Sequence, residues 1–97
     1  MAAYILAEIE VTDPEAYKEY SAGVPATITR YGGRFLVRGG PTEPLEGEWP
    51  QRRRVLIEFA SMEQAKRWWS SPEYEKPKAM RQAASKGRLL LMDGVAQ

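Results

Sequence analysis

The amino-acid sequence predicts a single α+β domain whose strands and helices follow the order β-α-β-β-α-β. Three observations support this prediction. The chain has 97 residues, which is enough for one domain with one core. Four short segments alternate with period two, as strands do, and the longer segments between them repeat apolar residues at spacings of three and four, as helices do. Capping residues, prolines and glycines mark where these segments begin and end.

The first strand and the first helix are separated by a clear helix-start signal. The strand spans residues 4–11, after which Asp13 suits an N-cap and Pro14 suits the first helical position. Large residues at helical spacing then form one stripe: Tyr17, Tyr20, Val24, Ile28 and Tyr31. Because Gly23 and Pro25 interrupt this stripe, we expect a kink or two short helices.

A hairpin with a long connection is predicted next. Gly32 and Gly33 end the helix, the second strand spans 34–38, and the third spans 54–59. Connections longer than about 12 residues without internal structure are uncommon in compact domains. Because Trp49 of this connection is costly to leave in water, we expect the loop to pack against something, with a partner subunit as one candidate.

Two further helix starts precede the last strand. Residues 61–64 (Ser-Met-Glu-Gln) form a capping-box pattern, and Ser71 followed by Pro72 indicates a second start. We expect the last helix to run to about residue 86, to be stopped by Gly87, and to be followed by a strand over 88–92.

The order of elements gives a ferredoxin-like fold, a split βαβ arrangement with an antiparallel sheet covered by helices on one face. One side of the strands is apolar and is predicted to lie under the helices: Ile5, Ala7, Ile9, Val11, Phe35, Val37, Val55, Ile57 and Phe59. The other side, the mixed face, combines large apolar residues with acids and arginines: Tyr4, Leu6, Glu8, Glu10, Arg34, Leu36, Arg38, Arg54, Leu56, Glu58, Leu90 and Met92. A soluble monomer would expose too much apolar surface there, so we predict a homodimer that pairs two such faces into a dimeric α/β barrel.

Composition argues against several classes of function. A net charge of +1 indicates neither nucleic acid nor an acidic membrane as a partner, and we interpret Arg52–Arg54 mainly as solvated turn charge, with nucleic-acid binding as a weak alternative. Cys and His are absent, which removes thiol nucleophiles and the commonest metal ligands. With no glycine-rich phosphate motif either, we predict no cofactor and no metal. No apolar run approaches the roughly 18 residues of a membrane span, and no signal-peptide pattern is present, so we expect a cytoplasmic location.

Segments along nearly the whole chain match a known family in order: 13–17, 24–25, 31–35, 37–40, 45–47, 57–59, 71–74, Arg81 and 93–94. On these segments the sequence resembles the bacterial domain-of-unknown-function family numbered thirteen-thirty, within the dimeric α/β-barrel superfamily. The resemblance implies a ferredoxin-like monomer and a dimer with face-to-face sheets, and it implies no established activity. The wider superfamily includes cofactor-free monooxygenases, haem-degrading enzymes, muconolactone isomerases and chlorite dismutases. This chain has neither the His that ligates haem iron there nor the Asn common in the monooxygenases of polycyclic aromatics.

The charged residues of the mixed face are the candidate site. A hairpin register that places Arg34 opposite Glu58 also places Arg38 opposite Arg54. The first pair is favourable, whereas the second brings like charges together unless an anion lies between them. That anion could be a carboxylate of the loop, of a partner subunit or of a ligand. The alternative is an intersubunit salt-bridge network.

Specific roles follow from these positions. Glu58 or Glu8 could serve as a general base if a closed barrel raised its pKa by desolvation, although a nearby arginine would oppose the shift. Trp68 and Trp69 are adjacent and cannot both face the core, so one of them points outward or lines a pocket. The candidate catalytic residues are Glu58 and Arg38, and the candidate ligand-binding residues are Arg54, Glu8, Arg34, Trp69 and Tyr17.

The resulting functional hypothesis is a small homodimer that binds a small carboxylic or aromatic molecule in a polar barrel or cleft. A cofactor-independent enzyme, monooxygenase-like or isomerase-like, remains open. The alternative is a non-catalytic binding or stress-associated module whose barrel charges only fix the dimer.

Overall fold

The computed structural model describes residues 1–95, and its elements follow the predicted order. The strands are β1 (Ala3–Val11), β2 (Arg34–Arg38), β3 (Arg53–Phe59) and β4 (Ser85–Asp93). The helices are α1 (Pro14–Arg30), α2 (Met62–Trp69) and α3 (Pro72–Ala84). The sheet is antiparallel, in the order β2-β3-β1-β4, and the helices cover one of its faces. The α+β, ferredoxin-like prediction is therefore confirmed.

All three predicted helix starts are present as capping interactions. The Asp13 side chain accepts a hydrogen bond from the amide of Ala16 across 3.2 Å. Ser61 caps α2 across 3.1 Å and Ser71 caps α3 across 3.2 Å, each through its hydroxyl oxygen. Each bond satisfies one of the amide groups that the first turn of a helix leaves without a partner.

Helix α1 runs unbroken from Pro14 to Arg30, so the predicted division into two short helices is wrong. Pro25 removes one backbone hydrogen bond from this helix. Val24 and Ile28 are buried against the sheet on either side of it. Their packing stabilises the helical turn that contains the proline, because tertiary burial contributes more to a helix than local propensity does.

The last strand begins earlier than predicted. Helix α3 ends at Ala84 and β4 starts at Ser85, which places Gly87 inside the strand rather than at a helix end. A Cβ atom at residue 87 would lie 2.6 Å from the carbonyl oxygen of Glu8 on β1. Gly87 is thus required by the close approach of two strands and not by a helix stop.

The β2–β3 hairpin contains a β-bulge between Phe35 and Val37. Beyond the bulge, Arg38 lies opposite Val55 and not opposite Arg54. One extra residue reverses the alternation of side chains, so Arg38 lies on the helix-covered face. The prediction that Arg38 faces Arg54 on the mixed face is therefore wrong.

Within residues 1–95, no helix covers the other face of the sheet. The molecule measures 35 × 32 × 17 Å and exposes 6686 Å², whereas a compact monomer of this mass exposes about 5,600 Å². Large apolar side chains contribute to the excess: Leu36, Val37 and Leu90 are 42%, 40% and 58% exposed. Within residues 1–95, no helix is both long and apolar enough to cross a membrane.

Candidate functional site

The ionic groups of the mixed face are paired with one another. Glu8 on β1 accepts hydrogen bonds from Arg88 on β4 across 2.8 Å and from Arg54 on β3 across 3.2 Å. These bonds, that with Arg88 first, hold the pKa of Glu8 below its ordinary value. Within the single chain, the two arginines thus oppose the raised pKa that a general-base role of Glu8 would need.

Glu58 takes part in a second ion pair of the same face. Arg34 donates to Glu58 across 2.7 Å, as the cross-strand prediction required. The Arg34 side chain is 71% exposed, so this is a surface pair of small energetic weight. Both groups of ion pairs form within one chain and do not depend on a partner subunit.

The nine arginines of the chain fall into two classes. Six of them pair with a glutamate: Arg30, Arg34, Arg52, Arg54, Arg67 and Arg88. The other three, Arg38, Arg53 and Arg81, have no carboxylate within 4.0 Å among residues 1–95. These three arginines, of which Arg81 is buried, Arg53 half-buried and Arg38 exposed, line a single narrow cavity of about 30 Å³ between the helices and the sheet. Within residues 1–95, the arginines at this cavity are therefore the ones without a carboxylate partner.

Arg81 is the most deeply placed of the three, with 5% of its surface exposed. It lies seven residues after Tyr74, on the same side of α3, and its Nε donates to the Tyr74 hydroxyl across 3.3 Å. That hydroxyl is 3.0 Å from the hydroxyl of Tyr20 on α1. Burial, reinforced by Tyr74, raises the pKa of Tyr20, which keeps its hydroxyl neutral. The tyrosines therefore orient Arg81 without neutralising it.

Arg81 also lines a large open groove of about 740 Å³ between α2, α3 and β4. Twelve residues form its walls: Ile5, Lys66, Trp69, Arg81, Gln82, Ser85, Lys86, Gly87, Arg88, Leu89, Leu90 and Leu91. None of them is acidic. Of its cations, Arg88 is paired with Glu8 on the mixed face, which leaves Arg81 with the exposed Lys66 and Lys86. The groove therefore combines apolar side chains with positively charged ones.

Trp69 supplies the aromatic wall of this groove. Trp68 is 1% exposed in the core, whereas the adjacent Trp69 is 36% exposed, as predicted for two neighbouring tryptophans. The Trp69 ring centre lies 6.0 Å from that of Tyr74, and the Lys78 ammonium lies 4.1 Å from it. These contacts fix the indole at the groove and leave part of it accessible.

Arg38 and Arg53 lie at the other end of the covered layer, against α1. Arg38 donates to the backbone carbonyl and, across 3.2 Å, to the hydroxyl of Ser21. The Arg53 guanidinium lies 5.6 Å from the Tyr17 ring centre. Interpreting Arg52–Arg54 as solvated turn charge is wrong for two of the three residues, since Arg53 is half-buried under α1 and Arg54 is bonded to Glu8.

The structure divides the predicted site residues among separate places. Glu8, Arg34, Arg54 and Glu58 lie together on the mixed face, as predicted. The remaining three do not join them: Arg38 lies at the α1 end, Trp69 in the groove, and Tyr17 in the core at 8% exposure. The sequence patterns did not indicate Arg53 or Arg81 as site residues. Arg81 had one signal in the sequence, because it is a charged residue seven positions after Tyr74 on the buried stripe of a helix.

No cluster of three or more acidic residues suited to holding a metal occurs among residues 1–95. The long loop between β2 and β3 is exposed along its length, with Trp49 57% exposed. The Trp49 indole donates to the carbonyl of Glu46 across 2.8 Å and its ring centre lies 5.4 Å from the Arg54 guanidinium. Through Trp49 the loop thus contacts Arg54, which is one of the paired residues of the mixed face.

The element order and the sheet define a small α+β domain of the ferredoxin-like class, with helices on one face of the sheet. The chain belongs to the family DUF1330, a domain of unknown function, whose model matches residues 2–95. No curated protein matches it significantly in sequence.

Several solved structures share its fold. A protein of unknown function from Rhodopseudomonas palustris is 20% identical, with a TM-score of 0.78 over 99% of this chain and 84% of that one. A dimeric ferredoxin-like protein of unknown function from Jannaschia sp. CCS1 is 15% identical, with a TM-score of 0.70 over 99% and 100% of the two chains. SnoaB, a cofactor-independent oxygenase from Streptomyces nogalater, is 14% identical, with a TM-score of 0.67 over 99% and 95%. At these identities the likeness concerns the fold alone.

Proposed function

We propose that this protein binds a small aromatic carboxylate in the groove between α2, α3 and β4, with Arg81 as the anchor of the carboxylate. One observation carries the proposal: Arg81 is 95% buried and has no acidic partner among residues 1–95, although six other arginines have one there. A charge removed from water costs several kcal/mol unless it is paired. A ligand carboxylate is the group that a guanidinium binds best, through two parallel hydrogen bonds.

The shape and lining of the groove indicate the rest of the ligand. Its volume of about 740 Å³ is within the range of about 300–1,000 Å³ typical of small-molecule sites. Leu89 and Leu91 offer apolar surface, and Trp69 offers an aromatic face. The aromatic ring of one ligand could pack against Trp69 while its carboxylate binds Arg81, so that the ligand would contact both the apolar and the charged side chains.

The assembly that we propose is a homodimer joined through the mixed faces of two sheets. The excess of exposed surface and the exposed Leu36 and Leu90 support it, as does the dimeric state of the Jannaschia protein. The ion pairs of Glu8 and of Glu58 would then be enclosed between the two sheets. In this proposal these residues stabilise the interface and fix its register, while the ligand groove lies at the β4 edge of each sheet, where Arg88 and Leu90 line the groove and also belong to the mixed face.

Turnover without a cofactor is the second candidate, and SnoaB offers a precedent for it on this fold. The observation that favours it is the concentration of positive charge at Arg81, Lys66 and Lys86. Cations placed at an apolar groove stabilise the enolate or phenolate form of a bound substrate, which is the form that reacts with oxygen or isomerises. Oxygen consumption in the presence of hydroxy-aromatic acids would test this candidate separately from binding.

Isothermal titration with 2-naphthoate tests the binding proposal. The wild-type protein should bind 2-naphthoate, and Arg81→Gln should lower the affinity at least tenfold, or about 1.4 kcal/mol. Arg67→Gln is the matched control, because Arg67 lies on the exposed side of α2 with 63% of its side chain exposed. This variant should bind 2-naphthoate with the affinity of the wild type. Naphthalene-2-methanol, which keeps the ring and loses the charge, should bind weakly to all three proteins. Equal affinity of the Arg81→Gln variant, with its fold verified by circular dichroism, would refute the proposal.

A further inference from the structure

We propose that Arg38 and Arg53 form a second anion-binding site, separate from the groove, that takes the oxyanion of a small free carboxylate or phosphate between α1 and the β2–β3 hairpin. This inference does not depend on a ligand in the groove. It follows from the way in which the bulge re-aims Arg38 and from the contacts that both guanidinium groups make.

The β-bulge brings the two arginines to the same side of the sheet. Arg38 lies opposite Val55, and Arg53 lies two residues before Val55 on the same strand face. Such diagonal neighbours are about 7–8 Å apart in a regular sheet, which is within the reach of long side chains. Guanidinium groups that approach each other from such positions repel, and an anion between them turns the repulsion into attraction.

Every partner that these guanidinium groups have is neutral. Arg38 donates to Ser21 and lies 4.5 Å from the Phe35 ring centre. Arg53 lies against the Tyr17 ring, and its Nε is buried with no hydrogen-bond partner among residues 1–95. Buried donors without a partner are rare in native proteins because losing water without replacing it costs free energy. The unused donor therefore points to a group that the protein binds there.

The backbone at Gly39 is shaped around the Arg53 guanidinium. Gly39 has a φ of +71°, a conformation that favours glycine, and a Cβ atom there would lie 2.1 Å from Nη1 of Arg53. Any other residue would displace the guanidinium from its place. Glycine at this position thus serves both the turn and the seating of Arg53.

Solvent reaches this place through a cleft of about 590 Å³. The end of β1, residues 39–42 and residues 51–53 line it, and Arg53 lies between it and the narrow inner cavity. Glu10 is the one acid in the cleft lining, and its carboxylate is 3.7 Å from Arg52. A free oxyanion that enters this cleft meets Arg53, which also lines the inner cavity together with Arg38, and two planar guanidinium forks suit its oxygens better than a single water molecule.

Arginine Nε–H signals in ¹H–¹⁵N spectra provide the test. Sodium phosphate and, in a second series, sodium acetate are titrated into the full-length protein at constant ionic strength. The signals of Arg53 and Arg38 should shift with saturation at or below about 5 mM anion, while those of the exposed Arg30 and Arg67, which lie outside the cleft, stay in place. Saturation by phosphate and not acetate assigns the site to phosphate groups, and the reverse result assigns it to carboxylates.

Variants separate this site from general charge effects. Arg53→Gln should lower the affinity for the anion at least tenfold. Arg53→Lys keeps the charge but loses the planar guanidinium, so its affinity should lie between those of Arg53→Gln and the wild type. Arg67→Gln changes an exposed arginine of α2 outside the cleft and is the control, so it should bind as the wild type does. Arg38→Gln changes an exposed residue and should also weaken binding, which provides the same test if Arg53→Gln does not fold. Non-saturating shifts with both anions, or an equal loss in Arg67→Gln, would overturn the proposal in favour of water at Arg53.

Discussion

Arg81 donates from its Nε to the Tyr74 hydroxyl across 3.3 Å, and both residues lie on the same side of α3. The Tyr74 hydroxyl is also 3.0 Å from that of Tyr20. The Tyr74 hydroxyl thus lies within hydrogen-bonding distance of two side chains, those of Arg81 and Tyr20, and links them. Tyr74 determines where the guanidinium lies relative to the groove.

Replacing Tyr74 with Phe should therefore weaken both stability and ligand binding. The substitution leaves the Tyr20 hydroxyl and one donor of Arg81 without partners, which should lower the free energy of unfolding by about 1–3 kcal/mol. Urea unfolding measures this change, and 2-naphthoate affinity should fall with it. Tyr17→Phe is the control, because the Tyr17 hydroxyl takes part in no hydrogen bond among residues 1–95, and it should change stability by less than about 0.5 kcal/mol. Equal effects of the two variants would contradict the role given to Tyr74.

Removing the carboxylate of Glu8 should change how stability depends on pH. The folded-state pKa of Glu8 is held below its ordinary value of 4.5, first by Arg88 and then by Arg54. A lowered pKa gives stability that is fully present above about pH 4.5 and is lost as the pH falls through the folded-state value. The gap in unfolding free energy between wild type and Glu8→Gln should therefore be largest at neutral pH and shrink below about pH 4.5.

Urea unfolding at pH 7, 5 and 3 measures this gap. Glu63→Gln is a suitable control, since Glu63 and Arg67 form an exposed pair on α2 whose loss should matter little at any pH. A gap that widens toward acid would show that Glu8 is not stabilised as a carboxylate in the folded protein.

Enlarging Gly87 should strain the sheet. The Cβ of Gly87→Ala would lie 2.6 Å from the Glu8 carbonyl oxygen and 2.7 Å from Cδ1 of Ile9. We expect a loss of about 1–3 kcal/mol in the free energy of unfolding. Gly23→Ala on α1 meets no atom within 4 Å and should instead stabilise the protein by about 0.4–1 kcal/mol. A neutral Gly87→Ala would mean that β1 and β4 are farther apart than described.

The homodimer should depend on the mixed face. Light scattering at micromolar concentration should give about twice the chain mass of 11.0 kDa. Leu90→Glu places a charge on the exposed sheet face and should produce monomers. Leu45→Glu, a change in the loop at a residue that is 96% exposed, should leave the mass unchanged. A wild-type mass of about 11 kDa would exclude this interface.

The sequence predicted the fold well because its signals are local and agree with one another. Three helix starts were marked by capping residues, namely Asp13, Ser61 and Ser71. The strict alternation of side chains on β1 and β3 predicted which face of the sheet the helices cover. The bulge in β2 carries no such signal, since Leu36 and Val37 are both apolar and fit either face. That one inserted residue moved Arg38 to the other side of the sheet and separated it from Arg54.

The candidate site was harder to predict for the same reason. Counting charges shows 14 basic against 13 acidic residues, but only the three-dimensional structure shows which arginines have no acidic partner among residues 1–95. Arg81 and Arg53 come from distant segments and meet one cavity only when the helices pack on the sheet. Helix periodicity could have placed Arg81 on the buried stripe with Tyr74, whereas nothing local indicates that the Arg53 Nε lacks a partner.

A crystal structure with 2-naphthoate bound is the sharpest test of the groove proposal, because it locates the ligand relative to Arg81. We expect the carboxylate within about 3 Å of the Arg81 guanidinium and the rings against Trp69. Ligand density on the mixed face beside Glu8 and Arg54, with the groove between α2, α3 and β4 filled only by water, would contradict it.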